Sequence, residues 1–251
     1  MKSETKKKSV GSVLYDDVMG GLRPMIPFVA GGGILMAISF MFGMRIGDDS
    51  VKQFAKILYE IGHNNAMLLM IPIFAGFIAH TIAGQDALAP GMIGGMIAKT
   101  TGSGFLGGIV AGFLAGYLVK LLNKLLSNFP EDFQSIKKLL IIPVISTFVV
   151  GIVMLCVVSV PMAWLNQGLT GFIDGLGTQN LVLTGMVIGG MMAVDLGGPI
   201  NKVAYTFAVA AISNGNYYPM AAAMVGGVVP PLGVALATTL FQKKFTKDQQ
   251  I

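Results

Sequence analysis

Charge is scarce in this sequence. Only 12% of its 251 residues are Asp, Glu, Lys or Arg, about half the share usual in a soluble domain, while 54% are hydrophobic. Mean hydropathy is +0.74. These values exclude a disordered chain, a coiled coil and an ordinary water-soluble enzyme. Cysteine is nearly absent. The single Cys156 lies in the run VMLCVVSV, forms no internal disulfide and is expected to be a small buried hydrophobe. With two histidines, His63 and His80, scattered far from that cysteine, no metal-ligand spacing exists, and no cofactor is expected. The sequence lacks G-x-x-x-x-G-K-S/T, which excludes an ATP-binding motor domain, and it also lacks G-x-S-x-G and H-E-x-x-H. The 34 glycines follow no Gly-X-Y period, so a collagen-like chain is excluded. The N-terminus carries no short apolar stretch with a small-residue cleavage site, so no cleaved signal peptide is expected.

What is present is apolar sequence in long runs. Between Leu139 and Gln242 the only Asp, Glu, Lys or Arg residues are Asp174, Asp195 and Lys202, and a stretch of that kind has the bilayer as its solvent. Apolar segments are expected at about 24–44, 66–83, 105–122, 139–165, 181–194 and 219–241, the last broken by Pro230-Pro231. The polar stretch between the first two is expected to hold a short amphipathic helix around 51–61. Shorter apolar pieces occur at 88–98 and 203–212. Gly108, Gly112 and Gly116 recur every four residues, a small-residue stripe for helix–helix contact. Gly31-Gly32-Gly33 is expected to let another backbone approach closely. The run from Gly102 to Gly107 opens an apolar helix with no preceding strand and reads as packing. Trp164 suits an interfacial anchor. The expected fold is all-α: a polytopic membrane protein with about six long helices plus Gly/Pro-broken or re-entrant segments. Residues 1–21 are expected to form a cytoplasmic lead-in closed by Gly20 and Gly21, residues 22–245 the membrane domain, and residues 246–251 a tail.

The net charge of +5 marks orientation rather than nucleic-acid binding. Lysines cluster at Lys6-Lys7-Lys8, between Lys120 and Lys138, and between Lys243 and Lys247, and the positive-inside rule places all three clusters in the cytoplasm. Three long segments separate each successive pair of clusters, so each half needs one more crossing. The candidates are 84–98 and 195–212, both with Gly and Pro beside a carboxylate (Asp86, Asp195). Interrupted segments at corresponding places in two halves point to a transport site, because non-helical backbone at membrane depth needs protein or a water cavity to satisfy its polar groups.

Asp195 and Lys202 are the only opposite charges close together in the apolar second half, separated by Gly197-Gly198-Pro199. On one reading Asp195, Asn201 and Lys202 line a polar pocket that hydrogen-bonds sugar hydroxyls. On the other, Asp195 and Lys202 form an ion pair that holds a helical hairpin. His80 reads either as a sugar ligand or proton-sensitive group, or as an interfacial residue. His63 reads as a boundary residue. Gln85 and Asp86 flank the short piece within reach of a hydroxylated solute.

Five runs carry a family resemblance: GLRPMIPFVAGGGILMAISFMFG (21–43), LAPGMIGGMIA (88–98), GSGFLGGIVAGFLAGY (102–117), MMAVDLGGPINKVAYTFAVA (191–210) and VVPPLGVALATTLF (228–241). With them the chain resembles enzyme IIC, the membrane component, of the fructose family of the bacterial phosphoenolpyruvate-dependent sugar phosphotransferase system. The resemblance implies import of a sugar that is released phosphorylated in the cytoplasm. It also implies a IIB domain that donates the phosphoryl group from a phosphocysteine, a IIA component, a homodimer in a lipid membrane and no nucleic acid. Asp195, Asn201 and Lys202 would help form the sugar site, Gly197, Gly198 and Pro199 would shape its loop, and the 84–95 piece would line the path. Family members usually continue into further membrane segments with a Glu-containing loop resembling ITEGAIPF and a later His-Gly motif. Neither occurs here, so the chain is expected to be an incomplete membrane domain and no catalytic residue is assigned. The family often has Ala-Asp-Arg-Pro before LAPG, where this chain has Ala83-Gly84-Gln85-Asp86-Ala87, and the difference points toward a fructose-like sugar. An ion- or proton-coupled secondary transporter without phosphoryl chemistry is the alternative.

Overall fold

A computed structural model describes residues 10–44, 52–130, 133–175, 181–194, 199–213 and 215–241. The chain divides into two compact units, residues 1–166 and 167–251. The first contains α1 (Val10–Met41), α2 (Gln53–Ala83), α3 (Leu88–Thr100), α4 (Gly104–Leu125) and α5 (Gln134–Leu165). The second contains α6 (Leu181–Val194), α7 (Pro199–Ser213) and α8 (Tyr218–Leu240). Among the described residues there is no strand. Helices α1, α2, α4, α5 and α8 are each long and apolar enough to cross a membrane, and α6 is a shorter apolar helix. The protein is a multi-pass, all-α membrane protein. Its outer surface agrees: Phe148, Val160, Leu232 and Leu240 are all more than half exposed, which lipid tolerates and water does not.

Small residues set the packing of the first unit. Helices α2, α3 and α4 form a tight up-down-up cluster. A Cβ on Gly95 of α3 would stand 2.8 Å from the Ile71 carbonyl oxygen and from the Pro72 Cα of α2. Gly91 faces Ala79 and Gly76 in the antiparallel register. The stripe expected on α4 does its packing: Gly108 meets Ile71, Gly112 meets Ile78 and Gly116 meets Ile82, so α4 runs parallel to α2. Without an apolar driving force between helices in lipid, such close backbone approach supplies the dispersion contacts that hold a bundle. Phe74 and Phe105 stack between α2 and α4 at 4.4 Å, both fully buried. Helix α1 lies antiparallel on α2, Gly20 against Thr81 and Gly32 against Ala66 and the Gly62 carbonyl. Of the three central glycines, Gly32 makes the close approach, while Gly31 meets nothing and Gly33 only the end of Met67.

Several segments differ from expectation. Helix α1 begins at Val10 and passes through Gly20 and Gly21, which serve as contacts to α2 rather than as a stop. Helix α2 begins at Gln53 and carries the expected amphipathic piece and the second apolar segment as one rod. It accommodates the polar residues through a π-helical stretch at Glu60–Ala66, where the Asn65 side chain returns to the Glu60 carbonyl at 2.9 Å. Pro230-Pro231 lies inside the continuous α8 rather than breaking it, as membrane helices permit. The helical turns that end α5 run on to Gly175, beyond the end at 165 expected for this apolar segment. Cys156 is exposed on the apolar outside of α5, not buried. Trp164 is 76% exposed.

The turn between α4 and α5 is pinned by a buried cation. Lys137, 6% exposed, donates from Nζ to the Leu126 carbonyl at 2.6 Å, a much shorter bond than the one that carbonyl accepts from the Phe129 N–H at 3.3 Å. Gln134 Nε2 donates to the Phe129 carbonyl at 2.9 Å in the same turn. A hydrogen bond from a charged donor contributes about 1.5–3 kcal/mol. Lys137→Met, which keeps the stem and removes the donor, is expected to lower stability by that order. Thermal unfolding in detergent followed by fluorescence checks it, and an unchanged midpoint contradicts the cap.

Candidate functional site

Of the two interrupted segments expected from the sequence, the first is present as a helix break, and in the second residues 195–198 lie outside the described residues, while the Asn201 side chain meets a carbonyl nine positions back, which one straight helix through both flanks would not allow. In the first unit α2 ends at Ala83, Gly84 turns the chain with φ of +77°, a value that favours glycine, and residues 85–87 make one tight turn before α3. The Gly84 N–H donates to the His80 carbonyl at 2.7 Å, closing α2. The His80 ring is half-buried and leans on Phe77 at 5.8 Å. Gln85 is exposed at the break. Asp86 is half-buried and accepts a long hydrogen bond of 3.4 Å from Asn123 Nδ2 on α4. Asn123 was not among the residues singled out from sequence, because its partner lies 37 positions away and no local signal marks the pair. With 13 residues, about 20 Å, α3 is shorter than the hydrocarbon layer and does not cross it alone.

In the second unit the break falls between α6 and α7. These helices have 14 and 15 residues, about 21 and 22 Å, so neither spans a layer of about 30 Å unaided. Asp195, Gly197 and Gly198 lie outside the described residues. Pro199 starts α7 with its φ already suited to a first turn, and Asn201 and Lys202 follow it in that turn. Of the three, only Asn201 has a described side chain. Its Nδ2 donates to the Met192 carbonyl at 2.9 Å. That carbonyl is among the last in α6 and has no partner within the helix, so Asn201 ties the end of one half-helix to the start of the next. The fastening role was not legible beforehand: sequence shows Asn201 to be polar at membrane depth but not which backbone group it meets.

Packing keeps the two short helices in place. Gly226 of α8 abuts Gly189 of α6 so closely that a Cβ on Gly226 would stand 2.6 Å from the Gly189 Cα. Ala204, Ala208, Val209 and Ala211 bury one face of α7. Asn216 Oδ1 accepts from the Tyr218 N–H at 3.1 Å and starts α8. The chemistry available at the α6–α7 break is hydrogen bonding and charge. A helix N-terminus offers free N–H groups and a positive dipole end; Asp195 lies outside the described residues, and the Lys202 side chain is not among those described. Among the described residues no group of three or more His, Cys, Asp or Glu is placed to hold a metal ion. The two breaks belong to different units.

Residues 19–251 match the family described as "Phosphotransferase system, EIIC". The chain is 49% identical over 250 residues to the "PTS system fructose-specific EIIABC component" of Bacillus subtilis (strain 168), covering 97% of this chain and 39% of that protein. It is 50% identical over 200 residues to the "Fructose permease IIC component" of Bacillus amyloliquefaciens, covering 80% of this chain and 66% of that protein. It is 36% identical over 235 residues to the "Fructose-like permease IIC component 2" of Escherichia coli (strain K12), covering 93% of this chain and 65% of that protein. This chain therefore spans from two fifths to two thirds of the length of these relatives. No solved structure matches it. With a multi-pass helical fold, two helix breaks and a family match over nearly its whole length, the chain belongs to the phosphotransferase system EIIC family.

Proposed function

We propose that the chain is the sugar-translocating permease part of a phosphotransferase system, importing fructose or a fructose-like sugar and releasing it phosphorylated by a phospho-IIB partner that a IIA component recharges. The observation that carries this reading is the conjunction of family membership with a helix break whose two halves are each too short to span the bilayer. Names of the relatives support fructose as the sugar class. In this proposal Asp195, Asn201 and Lys202 surround the sugar hydroxyls, Gly197, Gly198 and Pro199 keep the backbone open between the half-helices, and His80 and Gln85 line the path at the other break. Asn201 serves mainly as the fastener. The protein acts as a homodimer in the bacterial cytoplasmic membrane with its N-terminus in the cytoplasm, as the three lysine clusters favour. The membrane domain occupies residues 22–245 between a lead-in and a tail.

Reconstitution tests the proposal. Vesicles containing the chain, extended by the C-terminal membrane segments of a longer relative, receive IIA, IIB and phosphoenolpyruvate-charged carrier on the inside and labelled fructose outside. The expected result is internal fructose phosphate that depends on IIB. Accumulation of unmodified fructose driven by a proton gradient contradicts it.

A further inference from the structure

Helix α4 has two unlike faces. The glycine stripe is packed against α2, and on the opposite side Val110, Phe113, Leu114, Tyr117, Leu118 and Leu121 line an open, almost wholly apolar groove of about 520 Å³. The groove covers eleven residue steps, about 16 Å along the axis, close to the depth of one leaflet of a hydrocarbon layer about 30 Å thick. Phe113 and Tyr117 stack along its wall at 6.2 Å. Tyr117 is 46% exposed and ends in a hydroxyl. Three residues on from Tyr117 and Leu121 come Lys120 and Lys124; Lys124 continues this face, and Lys120, one turn beyond Gly116, stands at its edge. Both are exposed. Lys120 acts electrostatically on the buried Asp17 of α1. The Lys124 side chain makes no hydrogen bond or ion pair with any described residue. Lys138, also exposed, stands at the same end, beside the Lys137 that caps α4.

We infer that this groove is a site for an anionic phospholipid: one acyl chain lies along Val110–Leu121 and the phosphate meets Lys120 and Lys124, with the Tyr117 hydroxyl at the boundary. The apolar length matches one leaflet, and the lysines follow it at one end. A cation at the headgroup level beside an apolar seam selects anionic over zwitterionic lipid by charge, and the acyl contact localises it. A helix from a second copy would fill the apolar length equally well but would gain nothing from the lysines.

Quenching by brominated lipid tests the site. Trp164 is the sole tryptophan, so Trp164→Phe with Tyr117→Trp places one reporter in the groove. The full chain is reconstituted in phosphatidylcholine vesicles containing increasing dibromo-phosphatidylglycerol or, separately, dibromo-phosphatidylcholine. The expected result is about tenfold stronger association of phosphatidylglycerol at low ionic strength, weakened by salt. Lys120→Gln with Lys124→Gln should bring the ratio of the two lipids close to one, whereas Lys120→Arg with Lys124→Arg should preserve it. Equal association of both lipids in the reporter protein overturns the inference, as does a ratio that the Gln pair leaves unchanged. An indole quenched by neither lipid shows the face covered by protein and overturns it too.

Discussion

Gly226→Ala is expected to disrupt the second unit. The added methyl would stand 2.6 Å from the Gly189 Cα and 2.5 Å from its carbonyl oxygen, both backbone atoms that cannot rotate away. Helices α6 and α8 must then separate, and overpacking of a tight contact costs about 1–3 kcal/mol or more. Gly95→Ala makes the same test in the first unit, where the Ile71 carbonyl and the Pro72 Cα of α2 stand 2.8 Å away. Gly233→Ala, in the same helix as Gly226 but with nothing within 4 Å, is the control and should be neutral or slightly stabilising. Thermal unfolding and size exclusion in mild detergent distinguish them. Equal midpoints for Gly226→Ala and Gly233→Ala would show that the α6–α8 contact is looser than described. The consequence for transport follows from position: α6 carries the Met192 carbonyl that Asn201 holds, so a displaced α6 displaces the break.

The second large effect concerns the charges at that break. Asp195→Asn and Lys202→Met are each expected to lower sugar binding by about tenfold or more while leaving membrane insertion intact. An ionised group at membrane depth is retained only with a partner or hydration, and removing one partner leaves the other costly, by about 3–5 kcal/mol for a buried pair. If the two charges pair, the double variant loses less than the sum of the single losses. Binding by the extended, reconstituted protein, measured with labelled fructose, checks this. Equal affinity in wild type and both single variants contradicts the site.

Much of the fold was legible because the bilayer imposes strong rules. Span lengths follow from hydrocarbon thickness, and the period-four glycines of α4 declared a packed face whose partners the structure supplies as Ile71, Ile78 and Ile82. The helix break at 84–87 followed from Gly and Pro beside a carboxylate, while the residues expected to make the other, 195–198, lie outside those described. Other features depended on contacts that local sequence does not encode. Polar residues from Arg45 to Asn65 suggested an interruption, yet α2 runs through Glu60–Ala66 by widening into π-helical geometry. Pro230-Pro231 suggested a break that α8 does not make. Cys156 read as buried because its neighbours are apolar, but in a membrane an apolar run is as consistent with the outer face as with the core, and there it lies. The candidate site was legible in composition and less so in role. Asn201 proved to be fastened to the Met192 carbonyl, and Asp86 is bonded by Asn123 from a distant helix.

Accessibility of the α7 start tests most directly whether polar, broken backbone surrounds the cargo. Ile200, 42% exposed in the first turn of α7, is changed to cysteine in a Cys156→Ser background, and the extended, reconstituted protein is treated with a membrane-impermeant maleimide with and without fructose. The account predicts labelling through an aqueous path, slowed severalfold by fructose and unaffected by a sugar that is not transported. Labelling that fructose leaves unchanged in a transport-competent protein, or none from either side, would contradict it.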